Sequence, residues 1–509
     1  VTALTTPPTR SAVGLRSERG PVLGAIMLTT ALIALDSTVI ATAVPSIVSD
    51  LGGFSQFPWL FSVYLLTQAV TVPIYGKLAD VLGRRPVMFF GVAVFLAGSV
   101  LCGLAWSMPA LIAARAIQGI GAGAVQPIGL TIIGDLYSVE ERSRVQGYVA
   151  SVWGAASVLG PVMGGLFSEY LSWRWIFFVN LPLGALALRA LSRHFTEKVE
   201  KRSHTIDYLG ASLLTVGCSL LILGLLEGGT AWAWRSPTSA AVLGGAAVAL
   251  VAFLRVEQKA VEPVLPLWVF RRRTLVGGNL ASLGVGALLI GLSSYVPTFV
   301  QGVLGTGAIT AGFAVGALTI GWPIAAALSG RVYMRIGFRD TALIGIAVAV
   351  TGSVLTALLP RGASVLMVAG TMFVTGIGLG LSSSPTVVAI QSVVGWDRRG
   401  VVTGTNMFCR AMGSAVGAAI FGAIANATLV HRYDSAPSGL RGALPSGVDG
   451  TTEALRHPGP VADFVRTSLY DASHHVFLAL AVASVGVAVA IALMPRRTVE
   501  LVFDDQPTH

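Results

Sequence analysis

GKLADVLGRRPVMFFG, residues Gly76–Gly91, stands between two long apolar stretches, and a weakened copy, GRVYMRIGFRDTALIG, begins at Gly330, about 254 residues later. Gly76 matches Gly330, Gly83 matches Gly337 and Arg85 matches Arg339 in the same order and spacing. One short basic loop used at the same point of two halves implies one ancestral bundle used twice, the organisation of a two-halved membrane transporter.

Composition restricts the class independently. With 54% hydrophobic and 11% charged residues, and a mean hydropathy of +0.76, the chain cannot coat a water-soluble globule. Its 60 glycines suit close packing of membrane helices, where lipid supplies no hydrophobic drive for association. Cys102, Cys218 and Cys409 lie inside apolar runs without paired spacing and read as packing residues, so no metal site or disulfide framework is expected. No P-loop, zinc spacing or nucleophile elbow appears, which gives little support to ATP-driven pumping or membrane hydrolysis; neither an enzyme nor a cofactor is expected.

Apolar runs of about 20 residues, the length that crosses a 30 Å hydrocarbon core, predict fourteen spans. Six form an N-terminal bundle: Val22–Val44, Trp59–Leu78, Pro86–Trp106, Ala110–Gly134, Val145–Phe167 and Trp173–Leu191. Two more, Asp207–Leu226 and Ser239–Leu254, have no counterpart in the repeat and fall in a linker over 192–273. The C-terminal bundle, 274–495, holds Thr274–Val300, Ala308–Gly330, Asp340–Leu359, Ser364–Gln391, Gly400–Leu429 and His475–Met494, with a long polar outer loop over Val430–Ser473. A second echo supports the division: the loop and helix from Glu140 align with those from Asp397 at an offset of about 257, pairing Gly147 with Gly404, Gly160 with Gly417 and Gly165 with Gly422.

The basic residues set the expected orientation. With both termini in the cytoplasm, as tails over 1–21 and 496–509, about 25 Lys and Arg fall inside and about seven outside. Arg271, Arg272 and Arg273 abut a helix end facing anionic lipid, so the net charge of +10 needs no nucleic-acid partner. The first apolar run is too long for a signal peptide, contains Asp36 and leads into the bundle. The expected location is the cytoplasmic membrane.

At this point the chain resembles the major facilitator superfamily, and within it the fourteen-span drug/proton antiporters. Gly76, Asp80, Gly83, Arg84 and Arg85 stand where the signature between the second and third spans requires them. Arg115, Gln118, Gly119, Gly121 and Gly123 resemble the fourth-span motif; Gly160, Pro161, Gly164 and Gly165 resemble the fifth-span antiporter motif, with Ala156 where a glycine often begins it. Leu35, Asp36, Ser37, Thr38, Val39 and Ile40, running to Pro45, resemble the first-span motif. The resemblance implies an all-α membrane fold of two six-helix bundles with two extra spans between them. It also implies a monomer that exports amphipathic drugs by proton antiport and alternating access. It suggests that Asp135 pairs with Arg84 to latch the outward-facing state, and that the fifth-span motif seals the bundle against ion leak.

The residues carry their own chemistry. The loop glycines permit a tight reversal, with Asp80, Arg84 and Arg85 at the inner surface, either as a latch or as topology-fixing charges. Pro161 leaves one helix carbonyl without its donor, and flanking glycines admit a neighbouring helix, as a seal or as a packing kink. Asp36 lies about 14 residues, or 21 Å, into its span and Arg115 about 8 Å in from the opposite side, at matching depth. Asp36 reads as the protonation site with Arg115 as the positive neighbour that tunes it, or the two as a permanent structural pair. Arg410, about 15 Å into the thirteenth span, is too deep for easy snorkelling and needs a partner; if that partner is not Asp36, an anionic or zwitterionic substrate becomes plausible. Glu227 stands at the outer mouth of the seventh span beside Gly228 and Gly229. Gln118, Asn279, Gln301, Trp322, Gln391 and Asn406 complete the candidate substrate-cavity residues. The alternatives to drug export are a dedicated exporter of one metabolite or antibiotic, possibly anionic, and a non-transporting receptor or lipid-handling scaffold.

Overall fold

The computed structural model describes residues 14–52, 59–197, 207–229, 231–260, 263–437, 440, 444, 455 and 459–496, without the side chains of Ala41, Thr42, Pro45, Val158, Pro161, Leu226, Ala308 and Ile309. Among the described residues, fourteen helical segments are long and apolar enough to cross a membrane. Lipid cannot hydrogen-bond a bare backbone, so spanning segments must satisfy their own amides, and helices do this locally.

The helices in chain order are α1 (Gly20–Leu51), α2 (Trp59–Leu82), α3 (Arg84–Gly103), α4 (Met108–Leu136), α5 (Val139–Tyr170), the short α6 (Trp175–Phe178), α7 (Asn180–His194), α8 (Tyr208–Glu227) and α9 (Pro237–Glu257). They continue with α10 (Arg273–Thr298), α11 (Ala308–Ile336), α12 (Phe338–Ala357), α13 (Val365–Ser392), α14 (Arg399–Asp434) and α15 (Pro460–Ala492). Among the described residues, one compact unit comprises those up to Asp207 together with Ile390–Thr405; the other comprises Tyr208–Ala389 and those from Asn406 onward. The boundary at Asp207 puts α8 and α9 with the second unit, and the start of α14 with the first.

Local chemistry places the helix ends. Ser138 and Glu141 form a reciprocal capping box that starts α5 six residues before the expected Val145, because hydropathy does not register the charged first turn. The loop after α2 contracts to Gly83, whose φ of +97° suits glycine, and its repeat mate Gly337 does the same between α11 and α12 at +89°. Gly76 therefore sits inside α2 rather than in the turn.

The expected outer loop over Val430–Ser473 is shorter than its polarity suggests: α14 runs to Asp434, and α15 starts at Pro460 rather than near His475. The added turns of α15 are amphipathic, burying Ala462, Val465, Leu469, Ala472 and Val476 at helical spacing while Asp463 and Arg466 lie between them. Asp471 pairs with Arg432 and, at 3.5 Å, with Arg361.

Within each unit the helix contacts repeat. A Cβ on Gly98 of α3 would lie 2.6 Å from the Gln118 backbone of α4, and one on Gly352 of α12 would lie 2.7 Å from the Thr375 backbone of α13. Gly121 approaches Phe95 N at 2.3 Å by the same measure, and Gly378 approaches Ala349 N at 2.2 Å. Backbone meets backbone at equivalent points in both halves, which gives the repeat of the loop sequence a three-dimensional counterpart. Cys102 and Cys218 are buried, and all three cysteines are free.

Gly121→Ala and Gly378→Ala each force two backbones apart and are expected to cost about 1–3 kcal/mol of stability. Gly312→Ala, where a Cβ meets nothing within 4 Å, is expected to gain up to about 1 kcal/mol from helix propensity. Thermal unfolding in detergent micelles compares the three, and equal losses would show that close approach is not what these glycines provide.

Candidate functional site

Three clusters of polar side chains lie within the apolar helices. The first joins α1, α3, α4 and α7. Asp36 of α1 accepts from Arg115 Nη1 at 2.6 Å through Oδ2, and from Gln118 Nε2 at 2.8 Å and Asn180 Nδ2 at 3.3 Å through Oδ1. Arg115 also donates to Gln118 Oε1 at 2.7 Å and to the Leu60 carbonyl at 3.2 Å, and its guanidinium lies 4.0 Å from the centre of the Tyr64 ring. Ser99 Oγ accepts from both Gln118, at 2.7 Å, and Asn180, at 3.0 Å. Asp36 is 3% exposed and Arg115 1%, so the pair is out of reach of bulk solvent. Three N–H donors converge on one carboxyl group, an arrangement suited to a carboxylate, which has four lone-pair sites and no proton to donate.

Gly98 makes this cluster possible, because only a residue without Cβ lets α3 lie against the Gln118 backbone. Gln118 was expected among cavity residues, but it is consumed in binding Asp36 and Arg115. Sequence reading missed Asn180, Ser99 and Tyr64. An asparagine within the apolar run from Trp175 to Leu191 was a detectable signal for the first; a serine and a tyrosine among helix residues carry none. The second half keeps the same glycine contacts without the charges. Met372 stands where the repeat matches Arg115. Val285 stands where Asp36 would, because Ala287 meets Gly417 as Thr38 meets Gly160. Both are buried in an apolar cluster.

The second cluster lies at the junction of α2 and α3 and includes the start of α14, all within the first unit. Arg84 is fully buried and meets Asp80 at 3.0 Å, Asp135 at 3.0 Å and Glu197 at 3.8 Å. It also donates to the Ala79 and Trp396 carbonyls and lies 3.7 Å from the centre of the Trp396 ring. Arg399 closes the other side of Asp135 at 3.0 Å. Asp80 accepts from the backbone N–H of Gly400 at 2.8 Å and Val401 at 2.7 Å, so it caps the first turn of α14 and complements the positive end of its dipole. A Cβ on Gly76 would lie 2.7 Å from the Gly400 carbonyl oxygen, which is why α14 can approach this closely. The expected Arg84–Asp135 pair is present. Arg85 turns away: it donates to the Ser192 carbonyl, and its own N–H donates to Glu197. Glu197, Trp396 and Arg399 were not foreseen, since nothing in their local sequence points at α3.

The third cluster, in the second unit, joins α10 and α14. Asn406 donates to the Gly278 carbonyl at 3.0 Å and to Asn279 Oδ1 at 3.2 Å, and accepts from Ser282 at 2.9 Å. Ser414 donates to the Gly286 carbonyl at 3.1 Å. Arg410, one turn from each along α14 and about 16 Å from its start, is partly accessible and donates to Met407 Sδ at 3.3 Å. A charge at a span centre costs about 2.5–3.5 kcal/mol, and a thioether offsets little of that.

The other candidates are dispersed. Glu227 ends α8 at a tight turn in which Gly229 has a φ of +82°, and burial holds its carboxyl above the usual carboxylate range. Trp322 packs on the second unit's apolar core, Gln301 is exposed in a π-helical turn over Phe299–Val303, and Gln391 donates to Leu130 O and Thr403 at 3.1 Å each. In the fifth helix Gly160 meets Thr38 of α1, where a Cβ would lie 2.0 Å from Oγ1, and Gly164 is buried. Gly165 meets nothing within 4 Å. The backbone is helical through Pro161, whose side chain lies outside the description.

Asp36→Val or Arg115→Met alone leaves one buried charge without its partner and is expected to cost about 3–5 kcal/mol. The double substitution reproduces the pairing of Val285 and Met372 and should recover most of that loss. Strictly additive losses in unfolding experiments would show that the two charges do not support each other.

The Major Facilitator Superfamily profile matches residues 26–418. Multidrug transporter protein MdtP of Bacillus subtilis (strain 168) is 33% identical over 520 aligned residues, covering 97% of this chain and 96% of its own. Multidrug resistance protein 3 of the same organism is 34% identical over 494, covering 95% and 96%. Among solved structures, the human organic anion transporter MFSD10 (TETRAN) matches with a TM-score of 0.64 at 15% identity, covering 94% of this chain and 99% of that one, a likeness of fold. With the superfamily profile, two near full-length relatives and a fourteen-span helical architecture in agreement, this chain belongs to the major facilitator superfamily of membrane transporters.

Proposed function

We propose that this chain expels amphipathic small molecules across the cytoplasmic membrane by proton antiport, working as a monomer with both termini inside. The observation that carries the reading is the buried Asp36–Arg115 pair, in a chain whose relatives are named for multidrug transport and multidrug resistance. Asp36 is the proton carrier. Three donors leave one of its four lone-pair sites open to a proton, and a neutral acid no longer holds Arg115 by charge, so protonation loosens α1 from α4. Gln118, Asn180 and Ser99 then hold Arg115 and the neutral acid in place. Exchange of one proton for one neutral or charged molecule draws about 1.4 kcal/mol from each pH unit.

The Asp80, Arg84, Asp135 and Glu197 cluster is the conformational latch of this cycle. It grips residues 396–401, and α14 carries that grip onward as one continuous helix to Asp434. Release of the Asp80 cap and the Arg84 contacts frees the start of α14 to move. The Gly160 contact between α1 and α5 supports the proton site from the other side.

Proteoliposomes with an acidic lumen should accumulate at least one member of a panel of cationic, neutral and anionic fluorescent amphiphiles, and Asp36→Asn should abolish the response to the gradient. A panel that ignores the gradient, or an Asp36→Asn protein that still follows it, would overturn the assignment. Asp80→Ala removes the acceptor for two backbone N–H groups and is expected to lower the transport rate about tenfold or more with probe binding unchanged. An unchanged rate would reduce this cluster to a topological one.

A further inference from the structure

Asn406 has both amide hydrogens in use, one on the Gly278 carbonyl and one on Asn279 Oδ1, while its oxygen accepts from Ser282. That fixes the orientation of Asn279: its oxygen must face Asn406, which leaves its Nδ2 as the outward group. Asn279 is 4% exposed, and its Nδ2 has no acceptor among the described residues. One turn along α14, Arg410 presents a guanidinium with five N–H donors whose one acceptor among the described residues is the Met407 thioether. Helical side chains lean toward the N-terminus of their helix, so Arg410 reaches back along the Met407 and Asn406 turn, the level at which Asn279 sits. The Gly286 contact holds this register, since a Cβ there would lie 1.9 Å from the Arg410 carbonyl oxygen.

The contrast with Arg115 gives these donors their meaning. Arg115 has a carboxylate, an amide oxygen, a carbonyl and an aromatic face within reach. Arg410 has no carboxylate within 4.0 Å among the described residues, α10 contains no Asp or Glu, and α14 contains none before Asp434. Asp36 is already engaged by three donors of its own unit. We infer that Arg410 and Asn279 form the recognition site for a carboxylate or similar oxyanion borne by the transported amphiphile. That the bound amphiphile is carried across the membrane rests on the proposed transport function; binding at the site does not. A guanidinium beside an amide donor gives the oxyanion charge-assisted hydrogen bonds.

The test is fluorescence titration of the full chain in lipid nanodiscs, in chloride-free buffer, with dansylglycine, its uncharged amide and dansylated choline. Dansylglycine should bind about tenfold tighter or better than the amide. Arg410→Gln should abolish that preference, Arg410→Lys should retain part of it, and Asn279→Leu should reduce it severalfold. Arg410→Gln should melt no lower than the native protein, since it removes a partly buried charge that no carboxylate among the described residues neutralises. Failure of dansylglycine to bind, equal binding of acid and amide, or a preference that survives in Arg410→Gln would overturn the site. Displacement of dansylglycine by millimolar chloride would assign the donors to an inorganic anion and overturn it equally. A charge preference lost in Arg410→Gln supports the site even where vesicles show no gradient-driven transport, so the two readings fail separately.

Discussion

A charge inside an apolar helical bundle persists only where the protein itself supplies what water would have supplied. The Asp36–Arg115 pair meets that demand in full: one carboxylate oxygen for the guanidinium, the other for two amides, and a carbonyl and an aromatic ring for the remaining cationic surface. Such a pair contributes little net stability, because the desolvation of two ions offsets most of their attraction. Its significance is that neither partner can change charge without the other being left exposed to a low-dielectric interior. Removing the charge of either partner would therefore weaken the contact between α1 and α4.

The glycine contacts decide where such a pair can exist. Gly98, Gly121, Gly352 and Gly378 bring α3 against α4 and α12 against α13 at backbone distance, in a pattern common to both halves. On this shared frame the halves have diverged. The first places Asp36, Arg115 and Gln118 at positions where the second has Val285, Met372 and Thr375, so the second half packs as an apolar core. Its own polar residues have moved to the α10–α14 contact, where Asn406 and Ser414 bind α10 and Arg410 does not. The two halves of one ancestral design thus differ in where their polar contacts lie.

The start of α14 illustrates how charge and helix dipole work together. Asp80 accepts from the first exposed amides of α14, while Arg84 ties the same carboxylate to Asp135 and Glu197. The cation neutralises a cluster of acids that would otherwise repel, and the acids cap a helix end that would otherwise leave donors unsatisfied. Losing any one contact weakens the others.

The span count, the internal repeat and the Asp36–Arg115 pair were legible in the sequence alone, because they rest on local hydropathy, spacing and rare charges within apolar runs; the Arg84–Asp135 pair was legible only through the family resemblance. Helix ends with charged turns were not legible: α5 begins on a capping box, and α15 begins with an amphipathic stretch, both of which lower hydropathy without ending the helix. That Asn180 and Ser99 complete the Asp36 site, that Glu197, Trp396 and Arg399 join Arg84, and that Arg410 has a thioether in place of an acid are decisions of tertiary structure. They depend on which backbones approach closely across long separations in the chain, and a side chain's neighbours on another helix leave no mark in its own sequence.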